Sequence, residues 1–246
     1  MTPTKLLYME NMQLLQADVT VIEVLKENDK DVVVLDQTVF YPQGGGQPYD
    51  TGVITSETAS FKVEQVRFID GIVKHIGIFE KGTFTPNEIV HCLVEKERRS
   101  LHARLHSGGH VIDMAVNELG LQWTPGKGYH FPDGAYVEYS GSLEGVDKEK
   151  LKQDLEVIAN KFVQEARPTT IQFMSKDEMK TVCKSVPENL PENKPARVVF
   201  YGDFGIPCGG THVSNLSEIK NITVRKIKQS GEHIKVGYDV PRYIIP

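Results

Sequence analysis

Up to about Cys92 the apolar residues come in short, β-branched runs. Val19-Thr20-Val21-Ile22-Glu23-Val24 and Asp31-Val32-Val33-Val34-Leu35-Asp36 predict two strands, joined by a hairpin turn in the polar segment Lys26 to Lys30. Phe61 to Val66 and Ile72 to Ile78 predict two more, with Asp70-Gly71 as the turn between them. Many short strands with frequent glycine turns predict a small barrel.

The pattern changes near Glu95. Leu101, Leu105, Ile112, Ala115 and Leu119 recur at helical spacing and predict one long helix, Glu95 to Leu119, ended by Gly120. Gly108-Gly109 sits inside it at a cost of about 2 kcal/mol relative to alanine, so something other than propensity must hold that turn. A second helix is predicted from Asp147 to Ala166, with Leu151, Leu155, Ile158, Phe162 and Ala166 as its buried face. Ser175-Lys176-Asp177-Glu178 fits a capping box for a short helix to about Lys184. The segment Pro187 to Pro195, with three prolines, reads as a loop. Ala135 to Tyr139 and Val198 to Tyr201 read as strands, and Ile222 to Lys228 with His233 to Tyr238 as a hairpin around Ser230-Gly231. The expected fold is α+β. It comprises a small N-terminal β-barrel (1–92) and a C-terminal α/β domain (93–246), with helices packed on a mainly antiparallel sheet.

Composition narrows the function classes. The 246 residues suffice for one large or two modest domains, and 39% hydrophobic with 25% charged residues is ordinary for a soluble protein. No apolar run reaches transmembrane length and Met1 to Asp18 lacks a secretory layout, so a cytoplasmic protein without a membrane partner is expected. Cys92, Cys183 and Cys208 are too few and too scattered for a disulfide framework. A net charge of −5 argues against broad, nonspecific nucleic-acid binding. Local basic clusters remain, Arg98, Arg99 and Arg104 in one and Arg225, Lys226, Lys228 and Lys235 in the other; a solvated charged face accounts equally well for either.

Three features carry candidate chemistry. His102, His106 and His110 stand four residues apart on one helix ridge, where any i, i+4 pair can grip a metal ion; spacing does not choose the pair. Cys208-Gly209-Gly210-Thr211-His212 offers a thiolate and an imidazole on a tight loop. A one-Cys, three-His set suits Zn²⁺, and a soft thiolate disfavours Mg²⁺ or Ca²⁺. Four full-strength ligands would make a closed, structural site, whereas one loose ligand would leave room for water or substrate. The 97 residues between the halves mean that the fold must bring them together. Finally, Phe40-Tyr41-Pro42-Gln43-Gly44-Gly45-Gly46-Gln47-Pro48 predicts a loop whose backbone N–H groups can approach a ligand closely. It lacks the Lys-Ser/Thr of a P-loop, so ATP binding is not expected.

Together these blocks resemble the editing domain of alanyl-tRNA synthetase and its free-standing relatives, the AlaX proteins. The resemblance is carried by Thr38 to Pro48, by Glu97-Arg98-Arg99 leading to His106-Ser107-Gly108-Gly109-His110, and by Cys208 to Val213, in that order. With no aminoacylation domain ahead of them, a free-standing editor is expected. The resemblance implies zinc held by His106, His110, Cys208 and His212, with His102 a bystander. It implies a glycine-rich motif (Gly44, Gly45, Gly46, Gln47) beside the active site, where it and Ser107 would contact substrate. Thr38 would recognise the hydroxyl of a misattached serine. The substrate implied is mischarged tRNA(Ala), carrying serine or glycine, hydrolysed at its aminoacyl ester. Gly209, Gly210 and Thr211 would complete the catalytic set, with backbone N–H groups as oxyanion donors. This chain has Ser107-Gly108-Gly109 where the family often has Thr-Ala-x, a change that bears on pocket size. Glu138 reads as a surface residue more readily than as a catalytic carboxylate. The rival readings are a zinc-stabilised binding module without turnover and a zinc hydrolase of small esters. Oligomeric state is not legible.

Overall fold

The computed structural model describes residues 2–188, 190 and 195–242, which form two compact units, Met1–Ser100 and Leu101–Pro246. The fold is α+β, with a closed barrel, antiparallel sheets and three α-helices among the described residues.

The first unit contains β1 (Lys5–Leu6), β2 (Gln16–Glu27), β3 (Lys30–Leu35), β4 (Gln37–Thr38), β5 (Gly52–Thr55), β6 (Ser60–Ile69), β7 (Ile72–Lys81) and β8 (Ile89–Val94). Six of these close into a barrel in the order β2-β3-β7-β6-β5-β8. Alternation directs Val19, Val21, Val33, Leu35, Ile54 and Cys92 inward. A register shift between Val63 and Gln65 lets Phe61, Val63 and then Val66 all face the core, and bends β6 as closure requires. The turn expected over Lys26 to Lys30 contracts to Asn28-Asp29, at φ 47° and 63°, the primed turn that matches strand twist. The parallel pair β1–β4 sets Leu6 opposite Thr38.

α1 (Lys96–Glu118) follows, and the division between the units falls within it. The apolar spacing predicted one buried face, but every residue from His102 to Ile112 is buried. α1 is thus a central helix, which explains how glycines and histidines are held there by packing rather than propensity.

The second unit continues with β9 (Thr124–Tyr129), β10 (Tyr136–Ser140), α2 (Lys148–Gln164), β11 (Thr169–Met174), α3 (Lys176–Val182), β12 (Ala196–Tyr201), β13 (Phe204–Pro207), β14 (Thr223–Ser230) and β15 (His233–Asp239). Sheets run β14-β15-β10-β9 and β11-β12-β13, with neighbouring strands antiparallel throughout both. Asp147 caps α2 by accepting from Glu149 and Lys150 N–H, and Ser175 with Glu178 forms the expected capping box. α2 buries Leu151, Leu155, Ala159, Phe162 and Val163. The expected continuation to a buried Ala166 does not occur: Ala166 is exposed at φ 53°, in the left-handed conformation that closes helices. Of the predicted Pro187 to Pro195 loop, the described residues are neither helix nor strand; Asn189 and 191–194 lie outside the described residues.

Candidate metal centre

In the second unit α1 supplies His106 and His110, and the loop after β13 supplies Cys208 and His212. Their ligand atoms all lie within 4.8 Å of one another, an arrangement that could hold a metal ion. Cys208 Sγ is 3.5 Å from His106 Nε2 and 3.3 Å from His212 Nε2. Ligands about 2.0–2.3 Å from a tetrahedral centre are separated by roughly 3.3–3.6 Å, so these two sulfur–nitrogen contacts fit such a shell. His102 is buried nearby on the helix but is not one of the four.

The histidines are aimed from behind. His110 Nδ1 donates to Asp113 Oδ2 at 3.2 Å, and Tyr139 donates to the other Asp113 oxygen at 2.6 Å. His110 Nε2 is buried without a hydrogen-bond partner among the described residues, which is how a ligand atom looks before its cation is counted. Tyr201 donates to Ser107 Oγ at 3.3 Å, so its oxygen accepts from His212 Nδ1 at 2.8 Å and leaves Nε2 as the lone pair facing Cys208. Ser107 is fully buried, and its hydroxyl also accepts from Val213 N–H at 3.1 Å, tying α1 to the ligand loop. Arg197 clamps that loop from below, donating from Nη1 to the carbonyls of Cys208 at 3.1 Å and Gly210 at 2.7 Å.

The electrostatics favour a cation. Burial, then the neighbouring imidazoles and Arg197, hold His106 and His212 well below the usual imidazole range, so both are neutral donors of lone pairs. Burial opposes the charge on His110, but Asp113 and the Cys208 sulfur outweigh it and raise His110 to about 9. Burial alone would raise the Cys208 thiol; His110, the Gly210 N–H and Arg197 overcome it and lower the thiol, favouring the thiolate. Gly210 N–H donates to that sulfur at 3.4 Å. Gly209 is exposed and Cys208 half-buried, so the group reaches the surface there, while Thr211 is buried.

His130 is a neighbour that sequence reasoning passed over. It is buried and stacks on His106 with ring centres 4.4 Å apart. Tyr238 donates to the Leu105 carbonyl at 2.8 Å, so it accepts from His130 Nδ1 at 2.7 Å. Burial, with His110 adding to it, lowers His130 to about 3. The ring sits between two glycines: a Cβ on Gly109 would fall 2.5 Å from His130 Cε1, and one on Gly128 would fall 2.3 Å from Nε2. This close approach accounts for Gly109, while a Cβ on Gly108 would fall 3.2 Å from Tyr238 and Val240. Asp113, three residues from His110 on one helix face, was readable from spacing. Tyr201, Arg197 and His130 carry no local signal.

The first unit holds the remaining predicted residues. Thr38 is fully buried; its Oγ1 lies 2.8 Å from His75 Nε2 and accepts from Phe40 N–H at 3.0 Å. His75 Nδ1 donates to Val33 O at 3.0 Å, so Nε2 must accept, and Thr38 is the donor to it. Burial lowers His75 to about 4, against which the Val33 hydrogen bond works only in part. Gly44 to Gln47 form a tight turn closed by Gln47 N–H to Gly44 O at 2.8 Å, with Gly45 and Gly46 at φ 53° and 76°. Glycine takes two such positions at no steric cost. Gly44 and Gly45 are exposed and Gln47 is buried. The base of this loop is pinned by Asp50, which accepts from Tyr41 N–H at 2.7 Å and from Arg99 Nε at 2.9 Å. Arg99 also donates to the Val39 carbonyl at 2.7 Å and the Met12 carbonyl at 3.3 Å. Glu138, in the second unit, pairs with Lys235 at 3.3 Å.

Residues 4–98 match the family model described as tRNA synthetases class II (A), and residues 196–235 match the threonyl and alanyl tRNA synthetase second additional domain. The chain is 32% identical to the alanyl-tRNA editing protein AlaX-M of Methanosarcina barkeri, over 93% of this chain and 95% of that one. It is 33% identical to the AlaX-M of Methanosarcina acetivorans, over 85% and 88%. It is also 33% identical to the alanine–tRNA ligase of Thermococcus kodakarensis, over 94% of this chain but only 25% of the ligase; against such ligases it spans about a quarter of their length.

Proposed function

This chain belongs to the family of AlaX-type alanyl-tRNA editing proteins, and on that premise we propose that it is a zinc-dependent aminoacyl-tRNA deacylase acting on mischarged tRNA(Ala). Serine-charged tRNA(Ala) is the principal substrate of this reading and glycine-charged tRNA(Ala) the second. The observation that carries it is the convergence of His106, His110, Cys208 and His212, two of whose imidazoles are oriented from behind by Asp113 and Tyr201.

In the reaction the oxygen of a water molecule attacks the ester carbonyl carbon. The bond to the ribose oxygen breaks, that oxygen takes up a proton, and free amino acid and tRNA leave. Zinc held by these side chains would supply Lewis acidity near that carbonyl where one of the four gives way to a substrate oxygen. Gly209, exposed beside Cys208, is the candidate backbone donor to the developing oxyanion. Gly210 N–H is directed at the Cys208 sulfur and so orients the thiolate instead. Ser107 takes a positioning role through Val213 and Tyr201. Thr38 gives its proton to His75, so towards a substrate hydroxyl it can only accept. A serine side chain supplies that proton; the methyl of alanine does not, and a site built around such a bond rejects the analogue lacking it.

Access at Cys208 and Gly209 favours turnover over a sealed structural zinc. The test is deacylation of serine-, glycine- and alanine-charged tRNA(Ala), with and without chelator. Release of serine and glycine, sparing of alanine and loss of release with chelator are expected. Equal hydrolysis of all three, or chelator-resistant zinc without hydrolysis, contradicts the reading.

A further inference from the structure

Arg98 and Arg99 are neighbours in sequence with opposite surroundings. Arg99 is buried and its guanidinium is satisfied by Asp50 and two carbonyls. Arg98 is half-buried, donates from Nε to the Tyr49 carbonyl at 3.0 Å, and holds its guanidinium carbon 5.3 Å from the centre of the Tyr49 ring. Arg67, from β6, brings a second guanidinium to 5.7 Å from the same ring. The neutral side-chain amide of Gln65 lies beside Arg67, 3.2 Å from Nε, and leaves the charge uncompensated. Among the described residues, neither Arg67 nor Arg98 lies within ion-pair distance of a carboxylate. Asp50, next in sequence to Tyr49, is paired with Arg99 instead.

Two uncompensated cations drawn to one half-buried aromatic ring repel each other unless an anion joins them. The exposed glycine turn adjoins them, because Gln43 N–H donates to Val66 O at 3.2 Å, next in sequence to Arg67. Backbone without side chains there leaves room for a polymer to approach. We propose that Arg67, Arg98 and Tyr49 form a binding site for the phosphodiester backbone of an RNA chain, with the Gln43–Gly45 turn as its rim. Guanidinium forks match phosphate oxygens, and the tyrosine holds both forks in place. The choice of RNA rests on the deacylase reading above.

The test is anisotropy titration of an uncharged RNA hairpin with an unpaired 3′ tail, over a range of salt concentrations. Wild type and the Arg67→Gln, Arg98→Gln double variant are compared. Each phosphate contact contributes roughly 0.7–0.9 to the slope of log affinity against log salt. The double variant is therefore expected to lose roughly one to two units of slope and about tenfold or more in affinity at low salt. Arg67→Lys with Arg98→Lys should keep most of the slope. If the double variant melts, Arg67→Gln alone carries the test, with a loss of about one unit. A folded double variant with unchanged affinity and slope overturns the proposal, as does wild-type binding that ignores salt. The RNA carries no amino acid, so failure here leaves the deacylase reading standing; binding without deacylation refutes that reading and leaves this site intact.

Discussion

The two units each bury a polar cluster, and the clusters are built on opposite principles. In the barrel unit, donors meet acceptors: Arg99 faces Asp50 and two carbonyls. That network is complete with protein atoms alone. In the second unit, ligand groups converge: His106, His110 and His212 bring ring nitrogens, and Cys208 a sulfur inclined to ionise, within 4.8 Å of one another, a set that could hold a metal ion. Buried lone pairs that converge are costly unless a cation joins them. A buried pair saturated by protein partners acts as a structural pin, whereas converging ligand groups are what a metal site needs.

The comparison can be broken at either end. The largest effect is expected at the converging ligand cluster, where His106→Ala should abolish bound metal and lower deacylation by more than about a hundredfold, since loss of a supporting residue alone costs 10–100-fold. Metal analysis beside the kinetics checks this, and full activity without metal would refute it. In the saturated cluster, Asp50→Ala strands the buried Arg99 charge and should cost about 3–5 kcal/mol in urea unfolding. The metal content of the folded fraction should stay unchanged.

His75 gives the pH signature of the same unit. Its folded pKa, about 4, lies below the ordinary value of 6.5, so below pH 6.5 the unfolded chain binds the proton first. Stability is therefore fully present above pH 6.5 and declines until about pH 4, by about 3 kcal/mol at roughly 1.4 kcal/mol per unit. His75→Gln should flatten that part of the unfolding profile; an unchanged slope would remove His75 as its source.

Smaller effects sharpen the contrast. Asp113→Asn keeps the shape but weakens the orienting bond to His110, and metal affinity should fall about 10–100-fold in a chelator competition. Gly109→Ala sets two effects against each other. Helix propensity alone predicts a gain of about 1 kcal/mol. The clash with His130 and Tyr238 predicts a loss of about 1–3 kcal/mol. Packing should win, so a stabilised Gly109→Ala would show that His130 does not occupy its seat.

These contrasts also explain what was legible in the chain. Both halves of the metal group are local patterns at i, i+4, so each could be read alone. Their joining depended on the fold and, at the level of sequence, on the family resemblance. The Gly108-Gly109 pair announced a close neighbour but could not name it, because His130 is a lone histidine far along the chain. The strand Thr124–Tyr129 was hidden by Pro125, Gly126 and Gly128; Gly128 is the residue on which His130 rests. Four of the six barrel strands, β2, β3, β6 and β7, were read from their β-branched runs, whereas the shorter β5 and β8 were not, and Asp50 and Arg99 looked like ordinary charges until their burial was seen.

X-ray absorption at the zinc edge of the purified protein examines the four-donor group with the least intervening inference. The account predicts one sulfur at about 2.3 Å and three nitrogens at about 2.0–2.1 Å. A shell of nitrogen and oxygen without sulfur, or protein that binds no zinc at equimolar supply, would contradict it.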